Sequence, residues 1–124
     1  MRSLELFAGC GGLALGLSRA GFTPKRVIEN DPHTLETLRA NQALQVEYVS
    51  KWPISGADVR HTKFTEVGEV DLVSGGPPCQ PFSIGGKHLG PHDPRNMWPD
   101  AIRAIRELQP KAFVFENVRG LMRP

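Results

Sequence analysis

The sequence predicts an α/β fold built on a mainly parallel sheet. Three observations carry that expectation. Short apolar runs alternate with stretches of helical periodicity, a glycine-rich turn follows the first apolar run at once, and the last apolar run shows no polar face. At 124 residues the chain can make one domain around one modest core. A hydrophobic fraction of 40% and a charged fraction of 23% place it among ordinary soluble globular proteins, not disordered or fibrous ones.

Leu4-Glu5-Leu6-Phe7 is expected as the first strand, closed by Gly9, Gly11 and Gly12. Leu13, Leu17 and Ala20 then recur at helical spacing, and Gly21 is a natural helix stop. Arg26-Val27-Ile28 is a second strand. Asp31-Pro32 opens the next helix with an N-cap acid and a proline at the first helical position, and Leu35 and Leu38 share a face. Between Gln42 and Thr65 the signals blur. Val46-Glu47-Tyr48-Val49 has the composition of a short strand, while Trp52-Pro53 and Gly56 interrupt any long element. Val70-Asp71-Leu72-Val73 is a strand closed by Ser74-Gly75-Gly76-Pro77-Pro78. Residues 83–95 carry Gly85, Gly86, Gly90, Pro91 and Pro94 and are expected as a long loop, a class of segment that is usually functional. Ala101, Ile102, Ile105 and Leu108 mark a helix ended by Pro110, and Ala112-Phe113-Val114-Phe115 is the last strand.

Gly9, Gly11 and Ala14 fit a G-x-G-x-x-A turn between a strand and a helix, and Glu29 stands 20 residues beyond Gly9. Glycines let backbone approach a ligand closely, and an acid ending the second strand can accept from both hydroxyls of a ribose. The pattern points to a ribose-bearing cofactor without separating a dinucleotide from S-adenosylmethionine.

Cys79 sits among Pro77, Pro78 and Pro81 just beyond a strand end, the edge at which open parallel sheets bind ligands. Prolines stiffen such a loop and aim the thiol. The residues alone leave two readings, an aimed nucleophile or a small half-buried hydrophobe. Glu116 ends the last strand on the same rim, either as an acid of the site or as a partner for the next helix dipole. A thiol and two acids on one rim suggest covalent group transfer. The two cysteines, Cys10 and Cys79, are far apart and no export signal precedes them, which favours free thiols and a cytoplasmic protein. No apolar run is long enough for a membrane span. A net charge of +2 gives no preference for nucleic acid by itself. His88 and His92 lack the helical spacing and cysteine company of a metal site, so no metal is expected.

Phe7-Ala8-Gly9-Cys10-Gly11-Gly12, Pro78-Cys79-Gln80 and Glu116-Asn117-Val118 resemble the first, fourth and sixth motifs of the cytosine-C5 DNA methyltransferases. Glu29-Asn30-Asp31 resembles the second, Asp93-Pro94-Arg95-Asn96 the fifth, and Asp58-Val59 more weakly the third. The resemblance covers essentially the whole chain and implies a Rossmann-like S-adenosylmethionine-dependent methyltransferase fold. It further implies that residues 1–124 form the N-terminal cofactor-binding and catalytic part, with a catalytic loop over about 79–96. Phe7 would stack on adenine, and Ala8, Gly9, Cys10, Gly11 and Gly12 would pass the methionine end. Glu29 would hold the ribose, with Asn30 beside the adenine. Asp58 would accept from the adenine amine beside Val59, and Pro78 and Trp98 would complete the cofactor contacts. Cys79 would attack C6 of a flipped-out cytosine, with Glu116, protonated or sharing a proton with the base, at N3. Gln80, Ser83, Lys87 and Arg95 would touch double-stranded DNA.

The family's later arginine motif, target-recognition region and final motif have no counterpart in the sequence. The expected fold is therefore incomplete, with an uncovered last strand and a complementary C-terminal polypeptide as the expected partner. Three functions fit: part of a prokaryotic or phage DNA methyltransferase of a restriction–modification system, a non-catalytic cofactor- or partner-binding module, and part of a tRNA cytosine methyltransferase.

Overall fold

The computed structural model describes residues 1–78 and 96–119. Five strands, β1 (Arg2–Leu6), β2 (Thr23–Ile28), β3 (Ile54–Ser55), β4 (Leu72–Gly75) and β5 (Ala112–Phe115), form one sheet in the order β3-β2-β1-β4-β5. Every pairing in it is parallel. Helix α1 (Gly12–Arg19) joins β1 to β2, α2 (Pro32–Ala43) follows β2, and α3 (Trp98–Leu108) precedes β5. The chain steps outward from β1 to β3 and then lays β4 on the other side of β1. Right-handed crossovers therefore put α1 and α2 on one face of the sheet and α3 on the opposite face.

Packing follows that division. Ala14 of α1 and Leu38 of α2 meet Val27, Val49 and Trp52 in one cluster. Ala104, Ile105 and Leu108 of α3 meet Leu4, Leu6, Ile28, Phe64 and Val73 in the other. Because both faces are covered, the polar positions of β1 are buried as well. Glu5 is 2% exposed and accepts from the hydroxyl of Ser74, its register partner on β4. At the opposite end of the strands, Asp71 accepts from the Arg2 amide (2.7 Å) and from Lys111 Nζ (2.6 Å), tying together the starts of β1, β4 and β5.

The second helix forms where its cap predicted: Asp31 Oδ1 accepts from the amides of His33 (3.1 Å) and Thr34 (2.9 Å). Other expectations need correction. The first strand ends at Leu6, because Phe7 takes a left-handed φ of 51°. Residues 46–49 are not a strand. Tyr48 turns the chain with φ 67°, a 3₁₀ turn follows over Val49–Lys51, and the strand comes later, at Ile54–Ser55. The fourth strand is 72–75 in place of 70–73, since Asp71 is held at the sheet's edge. The buried face of α1 is Ala14 and Ser18, with Leu13 exposed, and α3 buries Ala101 and Ala104 while Ile102 faces outward. Small residues let these helices lie close to the sheet, and the larger ones splay to the sides.

Candidate functional site

The topological switch lies between β1 and β4, where the direction of strand addition reverses and the loops leaving the carboxyl ends diverge. Among the described residues, Phe7, Glu29, Asp58 and Glu116 lie along that rim. Phe7 leaves β1 with the left-handed φ noted above, a conformation that costs roughly 1–2 kcal/mol for a non-glycine residue. The next residue holds it there, as the Ala8 amide donates to the Ile28 carbonyl at 3.1 Å. Gly9 (φ 57°) and Gly11 (φ 91°) then fold the turn into α1. Gly11 has no substitute: a Cβ there would sit 2.8 Å from Trp52 Cζ3 and 2.9 Å from Leu38 Cδ2.

Glu29 joins the turn to the end of β2. Its Oε2 accepts from the Gly9 amide at 2.7 Å, and its Oε1 accepts from the Asp31 amide at 2.8 Å. A carboxylate offers about four acceptor positions, so each oxygen keeps one for a ligand hydroxyl. Glu29 thus presents two acceptors whose direction is set by backbone.

A cleft of about 330 Å³ opens beside it, within the range of small-molecule sites. Phe7, Glu29, Asn30, Asp58, Val59 and Pro78 line it, so six of the sequence-predicted cofactor residues converge. Ile28, Ala57, Arg60 and Met97 line it too, and sequence reasoning had passed over them. Two signals were available: Arg60 follows an Asp that caps a turn, and Met97 immediately precedes the Trp98-Pro99 helix start. Asp58 is firmly engaged. Arg60 grips it through Nη2 (2.6 Å) and Nε (3.0 Å), and the Arg60 amide donates to Oδ1 (2.9 Å). The Arg60 hydrogen bonds, against some opposing burial, hold the Asp58 carboxyl at about 2, well below the usual carboxylate range.

Ala8, Gly9, Cys10 and Gly11 of the turn and Gly12 at the start of α1 do not line this cleft; Cys10 is exposed with a free thiol. Trp98 does not line it and packs edge-on against Phe115, with ring centres 5.6 Å apart. Glu116 lies on the neighbouring side of the rim. Its amide donates to the Gly75 carbonyl (3.0 Å), and its Oε2 is 3.4 Å from where a Cβ on Gly76 would be. Asn117 Nδ2 donates to the Pro77 carbonyl at 2.8 Å. The Glu116-Asn117 pair is thereby strapped to the segment that leads into Cys79. Gly75 allows the underlying strands to close up, since a Cβ there would collide with the Leu6 carbonyl. Cys79, Gln80, Ser83, Lys87 and Arg95, with the rest of the loop expected over 83–95, lie outside the described residues. Among the described residues no three His, Cys, Asp or Glu side chains gather into a metal-binding group, and no helix is long and apolar enough to cross a membrane.

The model of the C-5 cytosine-specific DNA methylases matches residues 1–124. The chain belongs to that family. The Type II methyltransferase M.NgoMIV of Neisseria gonorrhoeae is 46% identical over 122 residues, covering 98% of this chain and 37% of the relative. The Type II methyltransferase M.PspPI of Psychrobacter sp. (strain TA137) is 47% identical over 120 residues, covering 95% and 27%. A crystal structure described as a DNA modification methyltransferase encoded within a prophage (E. coli) superposes with a TM-score of 0.76 at 33% identity. That match covers 99% of this chain and 33% of the other. The chain thus carries a C-5 methylase fold and spans between 27% and 37% of the length of these family members.

Proposed function

We propose that this chain supplies the S-adenosylmethionine site and the nucleophile of an enzyme that methylates C5 of cytosine in DNA. The observation that carries the proposal is the pairing of Glu29, aimed by two amides at a cleft bearing Phe7 and Asp58, with Glu116 strapped beside the Gly76–Pro78 approach to Cys79. The donor set fits the cofactor: spare carboxylate acceptors for ribose hydroxyls and an aromatic wall for adenine. The amide, Nε and Nη2 of Arg60 take three of the about four acceptor positions of Asp58, which leaves one for the adenine amine. When bound, S-adenosylmethionine supplies an electrophilic methyl carried on a sulfonium.

The protein's own part is to make C5 of the base nucleophilic. A cytosine stacked in a duplex cannot be reached, so the base is flipped into the site. Cys79 Sγ, as thiolate, bonds to C6, and the displaced electron pair accumulates at C5 while Glu116 shares its proton with N3. C5 takes the methyl; loss of the C5 proton then returns the pair to the ring and expels Sγ. Gln80, Ser83, Lys87 and Arg95 would contact the DNA around the extruded base.

Among the described residues β5 is an edge strand, which supports an enzyme completed by further polypeptide, and the bacterial relatives support a prokaryotic setting. Phe113 is 58% and Val114 47% exposed on β5, an edge onto which a complementary C-terminal polypeptide would add. The test mixes this chain with a polypeptide bearing the family's later motifs and follows labelled methyl transfer to cytosine-containing duplex DNA. Transfer is expected with wild-type chain and is abolished by Cys79→Ser. Full activity of Cys79→Ser would overturn the nucleophile, transfer to tRNA alone would overturn the DNA substrate, and cofactor binding without transfer would leave a binding module.

A further inference from the structure

The wall of the cleft formed by Asp58 and Val59 is a 3₁₀ turn, closed by the His61 amide to the Asp58 carbonyl at 3.1 Å, the Thr62 amide to the Val59 carbonyl at 3.3 Å and the Thr62 hydroxyl to the Asp58 carbonyl at 2.8 Å. Val59 packs into the core on one side. A second tie comes from far along the sequence. Arg103 of α3 donates through Nη2 to the Val59 carbonyl (2.6 Å) and through Nη1 to the Thr62 carbonyl (2.9 Å). Its guanidinium lies 4.5 Å over the ring of Phe64, which is fully buried. Asp100 (3.3 Å) and Glu107 (2.9 Å) hold the fork from either side, and Glu107 Oε2 also accepts from the Phe64 amide at 3.1 Å.

We propose that Arg103 is a positioning residue for cofactor recognition, holding the Asp58–Val59 wall at the height where it meets the adenine's amino edge; this rests on the cofactor reading above. The chemistry requires arginine. Two carbonyls in different directions and a ring face are satisfied together only by a planar fork, and a lysine ammonium can serve one of them. Helix α3 also starts directly after Met97, another lining residue of the same cleft, so one rigid element carries two of its walls. If Arg103 served only as a helix-surface ion pair with Asp100 and Glu107, its loss would weaken every ligand equally.

The test compares S-adenosylhomocysteine with its analogue bearing hydrogen in place of the adenine 6-amino group, titrated into the 124-residue chain and followed in protein NMR spectra. Wild-type chain is expected to prefer the amino ligand about tenfold, the worth of one hydrogen bond to a charged acceptor. In Arg103→Met that preference falls below about twofold, because the wall no longer stands where the amine is read. Arg103→Lys, which keeps stem and charge without the fork, makes the same comparison with the least disturbance to folding, and its preference falls at least about threefold. A preference retained in both variants, with both ligands weakened alike, would reduce Arg103 to a stabilising residue. Equal binding of the two ligands by wild-type chain would remove adenine reading from this wall, and binding of neither would overturn the cofactor reading itself.

Discussion

Gly11 offers the sharpest test of how the cofactor turn is built, because two independent costs meet there and a neighbouring glycine separates them. In Gly11→Ala the new residue must keep φ at 91°, a left-handed conformation costing roughly 1–2 kcal/mol for an L-residue. Its methyl must also find room 2.8 Å from Trp52 Cζ3 and 2.9 Å from Leu38 Cδ2. Neither neighbour gives way easily. Both are buried, and Trp52 Nε1 is bound to Ser18 Oγ at 3.1 Å, so the indole cannot slide without losing a buried hydrogen bond. Overpacking of that kind costs about 1–3 kcal/mol, for a total of about 2–5 kcal/mol. Gly9→Ala meets the same backbone cost at φ 57° but nothing within 4 Å, and is expected to lose only about 1–2 kcal/mol. Urea denaturation followed by circular dichroism measures both, with the slope unchanged if only the native state is affected. Trp52→Phe, which deletes the part of the indole that Gly11 faces, should restore about 1–3 kcal/mol to Gly11→Ala relative to its effect alone. Equal destabilisation by Gly9→Ala and Gly11→Ala would refute the packing account, and absence of coupling to Trp52 would do the same.

Three further outcomes follow from the same structure. Asp71 is held at about 2, below its usual 3.8, chiefly by the Lys111 hydrogen bond and next by the Arg2 amide. A depressed carboxyl contributes stability that is full above pH ~4 and is lost as pH falls towards ~2. Asp71→Asn should therefore flatten the decline of the urea midpoint between those values, and an undiminished slope would remove Asp71 from acid sensitivity. Glu29→Gln replaces one amide acceptor with an NH₂ facing an N–H, so S-adenosylhomocysteine binding should weaken by about tenfold or more, the worth of one charge-assisted bond; isothermal calorimetry showing unchanged affinity would contradict the amide-oriented acceptor. Val114→Lys puts a charge on the exposed edge strand; sedimentation should show less self-association with stability changed by no more than about 1 kcal/mol. A wild-type chain already monomeric at high concentration would mean that β5 is not adhesive.

The parts of this protein that local chemistry controls were legible in its sequence. Helix α2 could be placed from Asp31-Pro32 because a cap and a fixed proline φ act within three residues. Gly9 and Glu29 could be paired because a strand, a turn, a helix and a second strand consume a nearly constant length, and the two do meet at 2.7 Å. Helix faces were harder. Hydrophobic periodicity placed Ala101 correctly but favoured Leu13, Leu17 and Ile102, whereas close approach to a sheet selects Ala14, Ser18 and Ala104. Glu5 was illegible for a related reason. Alternation with Leu4 and Leu6 resembles a solvated face, and only the doubly covered sheet turns that position into a buried carboxyl bonded to Ser74.

Residues 42–65 mark where the sequence signal stops. They have no strand or helix longer than a turn beyond the end of α2; local bonds close the turns, and a few remote contacts fix where the turns lie. Gln42 Nε2 reaches the Trp52 carbonyl at 2.8 Å, Trp52 fills the space left by Gly11, and Arg103 and Glu107 impose the turn from Val59 to Phe64 from more than 40 residues away. No window-based pattern contains the contacts of Gly11, Arg103 and Glu107, since those residues lie outside the window. This has a functional side. The turn, the ribose acceptor and the strapped approach to Cys79 are set by strands and local caps, and they form wherever the sheet forms. The Asp58–Val59 wall also depends on α3, because Arg103 donates to the carbonyls of Val59 and Thr62. A change that shifts α3 therefore moves this wall with it, while the glycine turn and Glu29 stay with the sheet.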